Sequence, residues 1–183
     1  MKKQEKIGII ASCIGTSKII RTYFKYDENY WYYYYPNAVN ERFILGQEEY
    51  DFQLDGYHVR KVSDLLKAEV KDDLCEQINI WNGVVDQIKN PDIDISSWQS
   101  IFQSPELKGR LIIVEDEYSG VFVLGTIKKT YSRNVSLVSI DADGNIEDEP
   151  VVFPYSRITH VAWNTRYSDN WERYLKSHPK RMG

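Results

Sequence analysis

One segment of this chain occurs twice. Ser63-Asp64-Leu65-Leu66-Lys67-Ala68-Glu69-Val70 matches Ser156-Arg157-Ile158-Thr159-His160-Val161-Ala162-Trp163 at a displacement of 93 residues. At that displacement Leu65 meets Ile158, Ala68 meets Val161, Val70 meets Trp163, Leu74 meets Tyr167 and Ile78 meets Trp171. Upstream, Ile9-Ile10 resembles Ile112-Ile113, and Ser17-Lys18-Ile19-Ile20 resembles Ser119-Gly120-Val121-Phe122. A repeat of this kind restricts the fold to one supersecondary unit used twice, and repeated scaffolds commonly serve binding.

The first half reads as short strands: Ile7–Cys13, Ser17–Phe24, the aromatic run Tyr30–Tyr35 closed by Pro36, Arg42–Leu45, and the last strands across Val59–Val70. Asp27-Glu28-Asn29 and Asp55-Gly56 carry turn chemistry. The period then changes. Leu74, Ile78, Trp81 and Val85 recur at spacings of three and four, so Asp73–Ile88 predicts an amphipathic helix capped by Asp72-Asp73. The second half repeats the plan. Strands are expected over Arg110–Val114, Val121–Ile127, Val135–Ile140, Glu149–Phe153 and Ile158–Trp163, with a hairpin tip at Asp141–Asn145. A terminal helix over Arg166–Lys176 places Tyr167, Trp171, Tyr174 and Leu175 on one face, with Thr165 as its cap.

Five short antiparallel strands with a tight corner before the last favour closure, because closure removes exposed edges. The expectation is therefore an α+β, mainly β chain: two related small antiparallel β-barrels of SH3-like or Sm-like type, each followed by a helix. Residues 1–90 form the first, 91–106 a linker with a short helix, and 107–183 the second. The runs Asp141-Ala142-Asp143-Gly144, Phe153-Pro154-Tyr155-Ser156-Arg157-Ile158 and Arg166-Tyr167 resemble uncharacterised bacterial proteins with small SH3-like or Sm-like barrels. There such a run closes the barrel and enters a helix, so the resemblance implies a fold and carries over no catalytic residue.

Composition narrows the function classes. The 183 residues carry a net charge of −4, against the basic field expected of a nucleic-acid binder. Lys128-Lys129, Arg133 and Lys180-Arg181 are small basic spots that read as solvated surface. Two cysteines, Cys13 and Cys75, do not make a disulfide scaffold and read as reduced thiols of a cytoplasmic protein. Ile10-Ala11-Ser12-Cys13 loosely matches a lipoprotein box, but the preceding apolar stretch is too short for a signal, and no membrane segment is expected. There is no GxGxxG, GxxxxGK[ST] or GxSxG motif and no clustered Cys/His ligand set, so neither a cofactor nor a metal is expected. Asp141–Glu149 departs from a calcium loop, with glycine in the fourth position instead of the sixth.

Fourteen residues are Tyr, and Tyr30, Trp31, Tyr32, Tyr33, Tyr34 and Tyr35 are consecutive with one Trp among them. In a strand, Tyr30, Tyr32 and Tyr34 share one face and Trp31, Tyr33 and Tyr35 the other. One face fills the core, and the other is covered or open to a partner. The binding candidates are these six residues together with the acidic hairpin residues Asp141, Asp143, Glu147 and Asp148. The expected function is a non-enzymatic binding protein, in one version immunity- or antitoxin-like, acting on a protein partner. The alternative is single-stranded RNA stacked on the aromatic strand.

Overall fold

In a computed structural model the structure describes residues 1–178; the basic pair Lys180-Arg181 lies outside the described residues. The chain divides into two compact units, Met1–Pro91 and Asp92–Gly183.

The first unit opens with α1 (Lys3–Ala11), then β1 (Ile20–Phe24), β2 (Asp27–Val39), β3 (Phe43–Tyr50), β4 (Gln53–Lys61) and β5 (Leu65–Val70), and α2 (Leu74–Trp81). The second holds α3 (Trp98–Gln103), β6 (Ile112–Asp116), β7 (Val121–Thr130), β8 (Asn134–Ser139), β9 (Val151–Pro154), β10 (His160–Trp163) and α4 (Arg166–Ser177). Among the described residues no helix is long and apolar enough to cross a membrane.

The expected pair of closed barrels, each followed by a helix, does not form. All the strands lie in open, antiparallel sheet order: β5-β1-β2-β3-β4 in the first unit and β10-β6-β7-β8-β9 in the second. The reason is visible in β2. A barrel strand turns one face to a single core and the other outward. Here Tyr34 and Tyr35, adjacent and therefore on opposite faces, are both buried. Tyr34 joins Ile10, Cys13, Ile20, Phe24, Ile44, Leu65 and Ala68. Tyr35 joins Ile19 and Val84, with Val85 and Ile88 beside them. Apolar cover on both sides suits an open sheet. Nor is there one helix per module, since α1 precedes all the strands and α3 lies ahead of β6.

Local chemistry explains the other departures. Ile7–Cys13 is helix, not strand; Glu5 accepts the Lys2 backbone N–H at 3.3 Å, and Ile10 is fully buried. The match of Ile9-Ile10 to Ile112-Ile113 therefore fails, because the second pair begins β6, and so does that of Ser17–Ile20 to Ser119–Phe122, because Ile20 begins β1 whereas Val121-Phe122 begins β7. Asp55-Gly56 makes no turn. It lies within β4, where Gly56 takes φ +77° at a break in register between Gln47 and Glu49, the geometry of a glycine bulge. The aromatic strand continues past Pro36, with a register shift between Pro36 and Ala38. The helix predicted over Asp73–Ile88 stops at Trp81, capped by the Asp73 carboxylate on the N–H groups of Cys75 and Glu76. Its inward residues are Glu76 and Asn79, while Leu74 and Trp81 are 68% and 85% exposed.

In the second unit, β6 is buried along almost its whole length. Leu111, Ile113, Leu124, Ala162 and Leu175 form a cluster with Trp171 and Ile140 against it. α4 starts where its cap predicts: Thr165 Oγ1 accepts the Ser168 N–H at 3.0 Å. At Gly125 on β7 a Cβ would lie 2.4 Å from the Val138 carbonyl oxygen on β8. The close approach of those strands requires glycine there.

Candidate functional site

Both faces of the aromatic run meet an arginine. On the even face Arg60, 3% exposed, lies 4.3 Å from the Tyr32 ring centre and 5.1 Å from Phe24. Its Nε donates to Tyr34 Oη at 2.9 Å and its Nη1 to Tyr26 Oη at 2.6 Å. Burial holds the Tyr34 hydroxyl well above the ordinary tyrosine range, against the pull of the Arg60 charge. On the odd face Arg21 sits 5.3 Å from both the Trp31 and Tyr33 rings and donates to Tyr33 Oη at 2.7 Å. These are cation–π cages closed by the chain's own side chains.

The outer end of the run is different. Tyr30 and Trp31 are each 44% exposed and stack on each other, with ring centres 6.2 Å apart. Beside them the β3–β4 turn carries Tyr50 and Phe52, both exposed. The six residues Tyr30, Trp31, Glu48, Glu49, Tyr50 and Phe52, with Asp51 and Cys75, line a pocket of about 260 Å³. Asp51 and Phe52 take φ of 52° and 61°, the left-handed region, which an aromatic residue occupies at a cost of about 1–2 kcal/mol. Glu49 Oε1 accepts the Phe52 N–H at 2.6 Å and so holds the turn. Burial raises the Glu49 carboxyl above the ordinary glutamate range. The Tyr30 hydroxyl is also raised, first by burial and then by Tyr50, Glu48, Asp27 and Asp51. The pocket is therefore aromatic and electronegative.

Below it, His58 is built into a network. Nδ1 lies 3.1 Å from Glu48 Oε2 and Nε2 contacts the Asp55 carbonyl at 2.8 Å. Tyr34 Oη donates to the same Glu48 oxygen at 3.3 Å. Both imidazole nitrogens are engaged, so this histidine positions Glu48.

The acidic hairpin belongs to the second unit. Asp141 is committed to the turn: its carboxylate accepts the N–H groups of Asp143 and Asn145 at 2.9 and 2.8 Å and the Asn145 amide at 2.9 Å. Those bonds, Asn145 first, hold its carboxyl below the ordinary aspartate range. Asp143, Glu147 and Asp148 are exposed. Asp143 borders a groove of about 560 Å³ with Tyr167, Asn170, Trp171 and Tyr174 from α4. Among the described residues one group, Glu115, Glu117 and His160, brings metal-ligand types together.

Of the sequence candidates, Tyr30 and Trp31 line the pocket openly, Tyr32 and Tyr33 form its half-buried wall, and Tyr34 and Tyr35 lie in the interior. Glu48 through Phe52 were not among the sequence candidates. Comparison of the chain with protein-family models, curated proteins and solved structures finds no match.

Proposed function

We propose that this chain is a non-enzymatic, cytoplasmic binding protein whose first unit receives a basic segment of a protein partner in the pocket between Tyr30, Trp31, Tyr50 and Phe52. The observation that carries the reading is the pairing of open aromatic faces with Glu48, Glu49 and Asp51 around one small cavity. A guanidinium or ammonium group gains both ring attraction and charge complementarity there. Arg60 and Arg21 already occupy such positions further along the same strand. The strained aromatic at Phe52 supports the reading too, since a turn of this shape prefers Asn-Gly and strain of this kind gathers at binding sites. Immunity- or antitoxin-like action on a toxin with a basic surface is the specific version. Phosphate, by contrast, meets three carboxylates, which weighs against RNA at this pocket.

The two units are read as one module duplicated. The equal strand orders support this, as do equal registers: Val70 faces Ile20 and Ala68 faces Thr22, while Trp163 faces Ile112 and Val161 faces Val114.

The test is affinity capture from native cells at moderate salt, with protein and nucleic acid both identified, using the wild type and the Tyr50→Ala and Phe52→Gly variants. The expected result is one stoichiometric basic protein, released by salt and lost with both variants. Capture that ignores both substitutions, an eluate of RNA alone, or turnover of a small molecule would overturn the reading.

A further inference from the structure

A second kind of chemistry sits in the second unit. His160 on β10 lies directly opposite Glu115 on β6. Glu117 opens the turn that follows β6, two residues beyond Glu115. One ring nitrogen and one oxygen from each carboxylate lie within 4.8 Å of one another. The closest pair is His160 Nδ1 and Glu115 Oε2, at 2.5 Å.

The backbone beneath the three side chains is clamped. Thr159, 1% exposed, donates from its backbone N–H and its hydroxyl to the Glu115 carbonyl at 2.9 and 3.0 Å. The same hydroxyl oxygen accepts the Glu117 N–H at 3.0 Å. One residue thus locks the spacing between both glutamates and the histidine that follows it. Such support is what a coordination site needs, since ligands must be held before the ion arrives. The His160 side chain is buried at 5% exposure, whereas the Glu115 side chain retains 22%. The cluster has a fixed inner wall and an entry side.

We propose that Glu115, Glu117 and His160 form a binding site for a divalent transition metal, with Zn²⁺ or Mn²⁺ as the fitting ions. One imidazole and two carboxylates suit these ions; calcium prefers an all-oxygen shell of six to eight ligands. Ligand bonds of about 2.0–2.2 Å are reached by small side-chain rotations that draw the three atoms around a common centre. A ligating imidazole nitrogen carries no proton, so any proton on it leaves to solvent as the metal binds. Three protein ligands leave a further position to water. The ion would tie β10, the last strand of the unit, to β6, the first.

The experiment uses the full chain, stripped with chelator and dialysed. Titration calorimetry with ZnCl₂, MnCl₂ and CaCl₂ is run beside thermal unfolding with and without each ion. The expected result is one Zn²⁺ or Mn²⁺ per chain, a raised Tm in that ion, and affinity that falls as pH drops below the ordinary histidine range. Calcium should give little heat. His160→Gln and Glu117→Gln should each weaken binding by about 100-fold or more, beyond what loss of a supporting group does. Glu117 is half-buried, so its variant keeps the test valid if His160→Gln does not fold. Glu147→Gln, on the exposed hairpin, should leave binding unchanged. Absence of binding by the wild type, or binding as tight as wild type in both ligand variants, overturns the proposal; the second result would mean adventitious surface coordination.

Discussion

Replacing Arg60 by Lys keeps the charge and removes the geometry. The guanidinium makes two hydrogen bonds to phenol oxygens, at 2.9 and 2.6 Å, while lying 4.3 Å from the Tyr32 ring. A lysine reaching into the same cage keeps one of those bonds at most. Its compact, strongly hydrated ammonium also stacks less well than a planar fork. A hydrogen bond to a charged group contributes about 1.5–3 kcal/mol, and a desolvated cation–π contact about 2 kcal/mol, part of which lysine retains. The expected loss is about 2–3 kcal/mol. For a chain of this size that corresponds to a fall in Tm of about 5–10 °C. Thermal unfolding followed by circular dichroism, with urea denaturation as a second probe, reads the effect. Arg173→Lys on the exposed side of α4 serves as control and should stay within about 0.5 kcal/mol of wild type. Arg60→Lys matching that control would refute the argument that the rings and phenols hold this arginine in place.

Three further outcomes follow from the packing and the charges. Gly125→Ala sets a methyl group 2.4 Å from a backbone oxygen on β8, so the strands must separate; urea unfolding should show a loss of about 1–3 kcal/mol or more. Gly8→Ala in α1 meets nothing within 4 Å and should gain up to about 1 kcal/mol. Glu49 has its carboxyl raised by burial, so the folded chain holds this proton more tightly than the unfolded chain. The stability linked to that proton is present below the ordinary glutamate value and is lost as pH rises through the folded value. Glu49→Gln removes the loss while keeping an acceptor for the Phe52 N–H. Its stability relative to wild type should therefore increase as pH is raised from about 4 to 7.

Features set by a single residue's chemistry were legible in the sequence. Asp73 and Thr165 cap the helices their positions predict, the Asp141–Asn145 tip is a turn, and the aromatic run alternates between faces. Features decided by competition between distant segments were not. Ile7–Ile10 is too short an apolar run to separate helix from strand by period. Its helical state follows from the place Ile10 finds among Ile20, Phe24 and Leu65. Leu74, Ile78 and Trp81 form a convincing inward stripe by spacing, yet Glu76 and Asn79 turn inward. Closure failed as an expectation because strand count and turn spacing do not report that both faces of β2 find cover. The pocket was half legible. Its aromatic wall announces itself by composition, but the turn at Asp51-Phe52 has neither glycine nor asparagine, and a single Asp is a weak mark.

The caged aromatic strand has a consequence for how the chain is made. A run of six aromatic residues with no charge among them is a strong cross-β template whenever it is exposed and unpaired. It leaves the ribosome already joined to β1, and the Arg21 of that strand can cover the Trp31–Tyr33 face through a two-residue turn at Lys25-Tyr26. The Tyr32–Tyr34 face waits for Arg60, which lies 26 residues beyond Tyr34. At ordinary synthesis rates of about 5–20 residues per second, that face stays uncovered for about 1–5 s. The two arginines therefore act in sequence as gatekeepers against self-association, one immediate and one delayed. The most vulnerable moment in the life of this chain falls before β4 is complete.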